Sequence, residues 1–312
     1  MQNTFQKIKD NIGKVIIGKD ETISLILTGL LTGGHILLDD VPGTGKTMLA
    51  KALSRSIDSV FNRIQFTPDL LPSDVTGLNF FHQKENEFVF KPGPVFANVL
   101  LADEINRATP RTQSALLECM EEKQVTVDGV TRKLSLPFFV IATQNPVETT
   151  GTFPLPEAQL DRFLMKLSMG EPTNEEELAI LNRYNNDTPL EELQPVASCQ
   201  DILDATEDLK NVFVHPVLLD YMVDICQATR NADRIASGVS PRGSLALLHA
   251  AKAYAYINGR MYVVPEDVKA IAVPVLAHRL VLDRAVGMKN AGSDLINGIL
   301  EKITVPTEEW SR

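Results

Sequence analysis

The segment Asp40-Val41-Pro42-Gly43-Thr44-Gly45-Lys46-Thr47 constrains this chain more than any other. It follows an apolar run, His35-Ile36-Leu37-Leu38-Asp39, and opens a helical pattern over residues 47–57. A strand, a glycine-rich turn and a helix in that order make a cradle for phosphate. The glycines let backbone N–H groups turn inward around phosphate oxygens, and the helix N-terminus adds its positive end. Pro42, Gly43, Thr44, Gly45, Lys46, Thr47 and Met48 are therefore the expected nucleotide-binding set. Within it, Lys46 reaches the β- and γ-phosphates of ATP and the Thr47 hydroxyl holds Mg²⁺. The usual pattern begins with glycine; Asp40 occupies that slot here.

The surrounding segments continue the alternation. Val60 to Phe66 is a further strand candidate, runs at 98–103, 138–143 and 163–168 read as strands, and residues 111–122 read as a helix. Strands separated by helices imply an α/β fold with a doubly wound, parallel, five-stranded sheet. The run Asn98-Val99-Leu100-Leu101-Ala102-Asp103-Glu104 ends in two acids. Asp103 at the carboxyl end of a strand suits Mg²⁺, and Glu104 suits the polarisation of an attacking water.

After Met169-Gly170-Glu171-Pro172-Thr173 the strand pattern stops. Residues 175–185, 199–209, 217–231, 241–257, 265–278 and 293–303 all show helical periodicity. The expected division is a core over 1–170 and a smaller all-α part over 171–312. Charge divides at the same place. Residues 1–170 carry 17 basic and 19 acidic side chains (net −2), and residues 171–312 carry 13 and 21 (net −8). The whole chain of 312 residues is at −10, which disfavours a broadly basic nucleic-acid binder. Charged residues make up 22% and hydrophobic residues 44%, so the chain can bury a core and is not disordered at large. Cys119, Cys199 and Cys226 are widely spaced and read as reduced, buried small residues. The five histidines form no ligand-like cluster, and Trp310 reads as an anchor or a tail residue. No run has the length of a signal peptide or a membrane span, so a cytoplasmic location is expected.

Several blocks, in the same order, resemble the MoxR family of AAA+ ATPases. They are residues 42–47 (PGTGKT), 100–108 (LLADEINRA), 113–118 (QSALLE), 142–146 (ATQNP), 151–163 (GTFPLPEAQLDRF) and 240–243 (SPRG). The resemblance spans roughly residues 8 to 304. It implies an AAA+ core followed by a helical lid, with Mg-ATP hydrolysis in a ring, a hexamer by the family's habit. By residue, it implies that Asn145 is sensor 1, which orients the lytic water beside Glu104; an Asn before Pro146 also suits a plain turn. It implies that Arg162 is an arginine finger acting on a neighbour's nucleotide. It implies that Arg242 is sensor 2, acting on its own or a neighbour's ATP. Ile16, Ile17 and Gly18 resemble the segment that packs on adenine. Arg107 and Arg111 flank the turn after the acidic pair and suit an interface or plain solvated charge.

Two insertions are expected. Within 67–95, Leu78–Phe81 could pair with Phe88–Phe90, which resembles the hairpin that interrupts helix 2 in this clade. Within 124–137, Asp128-Gly129 suits a hairpin turn before sensor 1. Such hairpins either face a ring's pore or are structural only. The implied work is chaperone-like maturation, or metal or cofactor insertion, of client proteins, often ones with a von Willebrand factor A domain. Two other readings stand beside it: a nucleic-acid-stimulated motor, and a nucleotide-gated binding module with little hydrolysis.

Overall fold

The computed structural model describes residues 2–84, 86–146, 151–185, 187–282 and 290–306; Trp310 lies outside these. Its central sheet has five parallel strands: β1 (Ile36–Asp39), β2 (Phe61–Gln65), β3 (Val99–Asp103), β4 (Phe139–Gln144) and β5 (Met165–Leu167). Their spatial order is β2-β3-β4-β1-β5. All five fall on the segments read as strands from the sequence. Successive side chains of each strand point to opposite faces. Ile36, Leu38, Leu101 and Ile141 therefore join one apolar cluster, while Leu37, Leu100, Ala102 and Val140 join the other. Both faces of the central strands are covered, which is why β1, β3 and β4 read as continuous apolar runs rather than as alternation.

The longer helices are α1 (Gln2–Gly13), α2 (Asp20–Leu31), α3 (Lys46–Ser56), α4 (Pro110–Glu122), α5 (Asn174–Tyr184), α6 (Cys199–Asp208), α7 (Pro216–Arg230), α8 (Pro241–Ile257), α9 (Pro265–Leu276) and α10 (Ala291–Lys302). Four of them, α4, α7, α8 and α9, begin with a proline, whose fixed φ and missing N–H suit a first turn. At α5 the Thr173 hydroxyl accepts from Glu176 N and the Glu176 carboxylate accepts from Thr173 N. Ser198 and Asp201 repeat this arrangement at α6.

Helix α1 is absent from the sequence reading. Phe5, Ile8 and Ile12 stand at i, i+3 and i+7 on one face of it, and all three are buried. Phe5 meets Tyr256 of α8 edge-on, with ring centroids 5.9 Å apart. One apolar cluster thus runs from α1 and α2 into α8 and α9. The strand pattern also does not stop entirely after residue 173. Ile235–Ser237 pairs antiparallel with Val281–Leu282, too short a pair to leave a sequence period.

Both expected hairpins form. Gly77–His82 pairs antiparallel with Glu87–Pro92, and Gln124–Val127 with Val130–Lys133. Asp128 and Gly129 both have positive φ (50° and 77°), as a tight two-residue turn demands. The hairpins also touch each other. Asn79 donates to Asp128 at 2.7 Å, and the Arg132 guanidinium lies 3.9 Å over the Phe90 ring.

Candidate active site

The turn after β1 needs two glycines. Gly43 and Gly45 have φ of 89° and 86°, a region that side chains with a Cβ rarely adopt. Gly45 ends the turn and caps α3, so the first N–H groups of that helix face the loop. Lys46 Nζ donates to the Asp40 and Val41 carbonyls, at 2.9 and 3.4 Å, which holds the ammonium over the turn.

Asp40 does what a glycine could not. Its carboxylate is 5% exposed and receives the Ser168 hydroxyl at 2.6 Å, Met169 N–H at 2.7 Å and Gly170 N–H at 3.3 Å. These residues follow β5, the strand beside β1. The departure from the usual loop pattern is therefore a tie between the phosphate loop and the exit of the neighbouring strand.

The acidic pair lies two strands away. In register, Ala102 of β3, Ala142 of β4 and Leu37 of β1 stand level, so Asp103 is about 10 Å across the sheet from β1. The Thr143 hydroxyl links the pair: it donates to Asp103 Oδ1 at 2.7 Å and accepts from Glu104 N–H at 2.9 Å. Glu104 is left-handed (φ 57°), a conformation that costs a non-glycine residue about 1–3 kcal/mol unless its surroundings hold it. Gln65 at the end of β2 donates to Glu104 Oε2 at 2.8 Å, and Arg107 reaches the same oxygen at 3.4 Å. Arg63, also on β2, donates to Asp103 Oδ2 at 2.7 Å and to Gln65 Oε1 at 2.9 Å. Asp103 Oδ1 has one donor in place and keeps further acceptor capacity, whereas Oδ2 takes two N–H groups of Arg63, at 2.7 and 3.2 Å. With the Thr47 hydroxyl it offers the hard oxygen donors that Mg²⁺ takes beside water. Asn145 directly follows β4, whose Gln144 pairs with Asp39, so it stands at the same sheet edge between the loop and the acids.

A cavity of about 790 Å³ opens beside the loop. Asp40 and Thr44, Glu21 of α2, Lys166 of β5, and Pro274 and His278 from the helical part line it. Ile16 approaches the loop from another side: its Cδ1 would lie 4.0 Å from a Cβ on Gly45. Helix α5 grips the segment around it. Tyr184 donates to the Val15 carbonyl at 3.1 Å, Arg183 to those of Gly13 and Lys14 at 2.7 and 2.8 Å, and Glu176 pairs with Lys19 at 3.5 Å. Gly18 has φ +72°, and a Cβ there would stand 1.8 Å from Glu176 Oε1. Ile17 is half-buried.

The two arginines of the resemblance lie elsewhere. Leu164 N–H donates to His35 O, so Arg162 sits at the edge where β1 begins. Five residues of strand, about 17 Å, separate His35 from Asp40. Arg242, in the first turn of α8, reaches the same place: Glu121 at the end of α4 takes Arg162 at 3.1 Å and Arg242 at 3.5 Å. Arg279 supports this corner from inside. It is nearly fully buried, pairs with Asp161 at 2.8 Å and donates to the Phe163 and Leu164 carbonyls at 2.8 and 3.1 Å. Burial brings its guanidinium down to about 10 against the pull of Asp161. Its side chain also packs on Gly243, where a Cβ would stand 3.0 Å from Arg279 Cδ.

The structure thus gathers Pro42 to Met48, Asp103, Glu104 and Asn145 at one edge of the sheet and Arg162 and Arg242 at the other. Arg107 reaches Glu104; Arg111 lies exposed in the first turn of α4. Sequence reasoning missed Gln65, Arg63, Thr143, Glu121 and Arg279. A polar residue at the carboxyl end of β2, level with the acidic pair, was the available signal for Gln65. The others act across the fold and leave no spacing.

Comparison with known proteins gives the family and the fold. Residues 35–165 match the family described as ATPase family associated with various cellular activities (AAA), and residues 227–298 match the AAA lid domain. YeaC of Bacillus subtilis is 48% identical over 97% of this chain and 95% of its own length. Chaperone MoxR1 of Mycobacterium tuberculosis is 42% identical over 97% of this chain and 83% of its own. A crystal structure from Cytophaga hutchinsonii superposes with a TM-score of 0.90 at 42% identity, covering 98% of this chain and 96% of that one. A five-stranded parallel AAA core with a helical lid region after it, and relatives of this identity along nearly the whole chain, make this protein a member of the MoxR family of AAA ATPases.

Proposed function

We propose that this protein hydrolyses Mg-ATP at sites shared between neighbouring subunits of a ring and uses the cycle to remodel client proteins. The observation that carries the reading is the division of the sheet. Its carboxyl edge holds the phosphate loop, Asp103 and Glu104, whereas Arg162 and Arg242 share Glu121 at the amino edge. A gap of about 17 Å is longer than an arginine side chain, so neither guanidinium serves the nucleotide of its own subunit. A head-to-tail interface that repeats around a closed ring brings one edge to the other.

The roles follow from the chemistry. Backbone N–H groups of the loop and Lys46 hold the phosphates. Thr47 and Asp103 would hold Mg²⁺, which offsets the charge that develops on the transferring phosphoryl group. Glu104, steadied by Gln65 and by the Thr143 hydroxyl, takes the proton of the attacking water, and Asn145 orients that water. Arg162 and Arg242 of the neighbour stabilise the spreading charge; planar, permanently charged guanidinium groups suit it. Ile16, Ile17 and Gly18 form the base-binding segment, and helix α5 couples that segment to a lid over 171–312. MoxR1 is described as a chaperone. The exposed Phe81 and Phe88 at the end of the 77–92 hairpin offer an apolar surface for a client, and the acidic lid favours a protein partner over nucleic acid. The resemblance extends the client class to proteins with a von Willebrand factor A domain, and the work to metal or cofactor insertion.

Mixing two inactive variants tests the shared site. Glu104→Gln keeps both arginines, and Arg162→Ala keeps Glu104. In a mixed ring, about a quarter of the interfaces pair an intact Glu104 with an intact Arg162. ATP turnover should therefore reappear on mixing, at up to about that fraction of the wild-type rate. A mixture as inactive as its parents would refute the reading.

A further inference from the structure

Glu121 stands where its own helix does not want it. It lies in the last turn of α4, beside Glu122 and with no basic residue in that turn, at the end where the helix carbonyls already present negative charge. Its carboxylate is 40% exposed and each oxygen takes one arginine: Oε2 takes Arg162 at 3.1 Å, and Oε1 takes Arg242 at 3.5 Å. The two guanidiniums come from segments about 80 residues apart in sequence and repel each other, so a shared anion is what keeps them side by side.

We infer that Glu121 is the resting acceptor of both interface arginines, a carboxylate that occupies them until the terminal phosphate of a neighbouring subunit's ATP replaces it. This rests on the reading that Arg162 and Arg242 act on a neighbour. The exposures favour release over a permanent lock: Arg162 and Arg242 side chains are 33% and 50% exposed. Ion pairs this open to solvent are weak and separate readily. A phosphate carries more charge and more acceptor oxygens than a carboxylate, and it meets the arginines at an interface that excludes water. The exchange therefore runs toward phosphate only when a subunit with bound ATP docks. Arg279 stays fixed during it, since its partners are the buried backbone of 161–164 and Asp161. Glu121 is on this account a positioning residue that competes with the neighbour's nucleotide.

The experiment measures specific ATPase activity against protein concentration, in saturating Mg-ATP, for the wild type, Glu121→Gln, Glu121→Asp and Arg162→Ala. Glutamine keeps the shape and removes the charge that holds the arginines. Its half-maximal activity should fall at about three- to tenfold lower protein concentration, the sum of two exposed pairs released in advance. Aspartate keeps the charge and should track the wild type. A Glu121→Gln curve that coincides with the wild type, or moves to higher concentration, overturns the inference. So does Glu121→Asp moving together with Glu121→Gln, because shape rather than charge would then matter. Thermal melting of the nucleotide-free proteins should be unchanged, since helix α4 loses an unfavourable terminal charge; a Glu121→Gln protein that melts several degrees lower would mark the residue as structural and also overturn it. If Arg162→Ala turns over like the wild type, the shared-site reading fails by itself, whatever Glu121 does.

Discussion

Replacing Asp40 separates two explanations of its place in the phosphate loop. If it is merely a tolerated departure from glycine, Asp40→Gly restores the usual loop and costs nothing. The structure requires a loss. Met169 N–H, at 2.7 Å, would be left without an acceptor in a buried position. Gly170 N–H and the Ser168 hydroxyl lie 3.1 Å apart and keep each other as partners, so their loss is partial. A stranded buried donor costs about 1–3 kcal/mol, and hydrogen bonds to a charged acceptor are worth about 1.5–3 kcal/mol each. Relief from burying a carboxylate offsets part of this. The net loss should be about 2–3 kcal/mol for Asp40→Ala, and glycine should be no better because it adds backbone freedom. For a chain this long, that lowers the melting temperature by about 3–5 °C. Asp40→Asn keeps one good acceptor for Met169 N–H and should lose about half as much. Thermal unfolding followed by circular dichroism, with and without ADP, reads all three. ADP should raise the midpoint of each variant, with the affinity for ADP reduced where the loop is no longer tied to β5. Asp40→Gly and Asp40→Ala both melting within a degree of the wild type would refute the tie.

Three further outcomes follow from the same geometry. Gln65→Ala removes the amide that holds Glu104 Oε2; if Glu104 is the base, as proposed, turnover should fall by about tenfold with little change in the KM for ATP, in a coupled ADP-release assay, because Gln65 touches Glu104 and not the phosphate loop. Asp267 is 1% exposed, pairs with Arg260 through both oxygens and caps α9 by accepting from Val264 N–H; Asp267→Ala should cost about 2–4 kcal/mol in urea unfolding, because it removes the cap and leaves a half-buried guanidinium with only the Tyr262 carbonyl among the described residues. His35 is buried and neutral: Nδ1 accepts from Val140 N–H and Nε2–H donates to the Met120 carbonyl, both at 3.0 Å. Burial brings its pKa from 6.5 down to about 4, so the unfolded chain binds the extra proton first. Its contribution is complete above pH 6.5 and is lost as the pH falls toward 4, by about 3 kcal/mol in total. Unfolding free energies measured across that window should slope accordingly, and His35→Gln should flatten the slope.

The fold was legible where one physical effect left a period. The five sheet strands, the proline-led helices and the Asp128-Gly129 turn each carry a local signal, and each formed where that signal lay. Helix α1 also carries a period, with Phe5, Ile8 and Ile12 at i, i+3 and i+7, and it went unread; what the sequence does not give is the partner of Phe5, Tyr256, more than 240 positions away. The pair Ile235–Ser237 and Val281–Leu282 escaped because two or three residues are too few to alternate.

In the candidate site, legibility followed the origin of the geometry. The loop at 42–48 and the acids at 103–104 are contiguous segments, so their chemistry could be read from neighbours in sequence. What supports them could not. Thr143 bridges Asp103 and Glu104 because β4 lies beside β3, Asp40 holds Met169 because β5 lies beside β1, and Glu121 gathers Arg162 and Arg242 because α4 ends where β5 and α8 begin. Each contact is fixed by strand order, which the sequence implies only as a class of topology. Once the order β2-β3-β4-β1-β5 is known, these partners become readable as residues at adjacent strand ends. The same order is what supports the proposal that the arginines serve another subunit's chemistry. In a parallel sheet every strand presents its carboxyl end to one side, so groups on the turns that enter strands and groups on the turns that leave them are kept apart by the length of a strand. Arg162 precedes β5 and Lys46 follows β1; no side-chain motion within one subunit closes that distance.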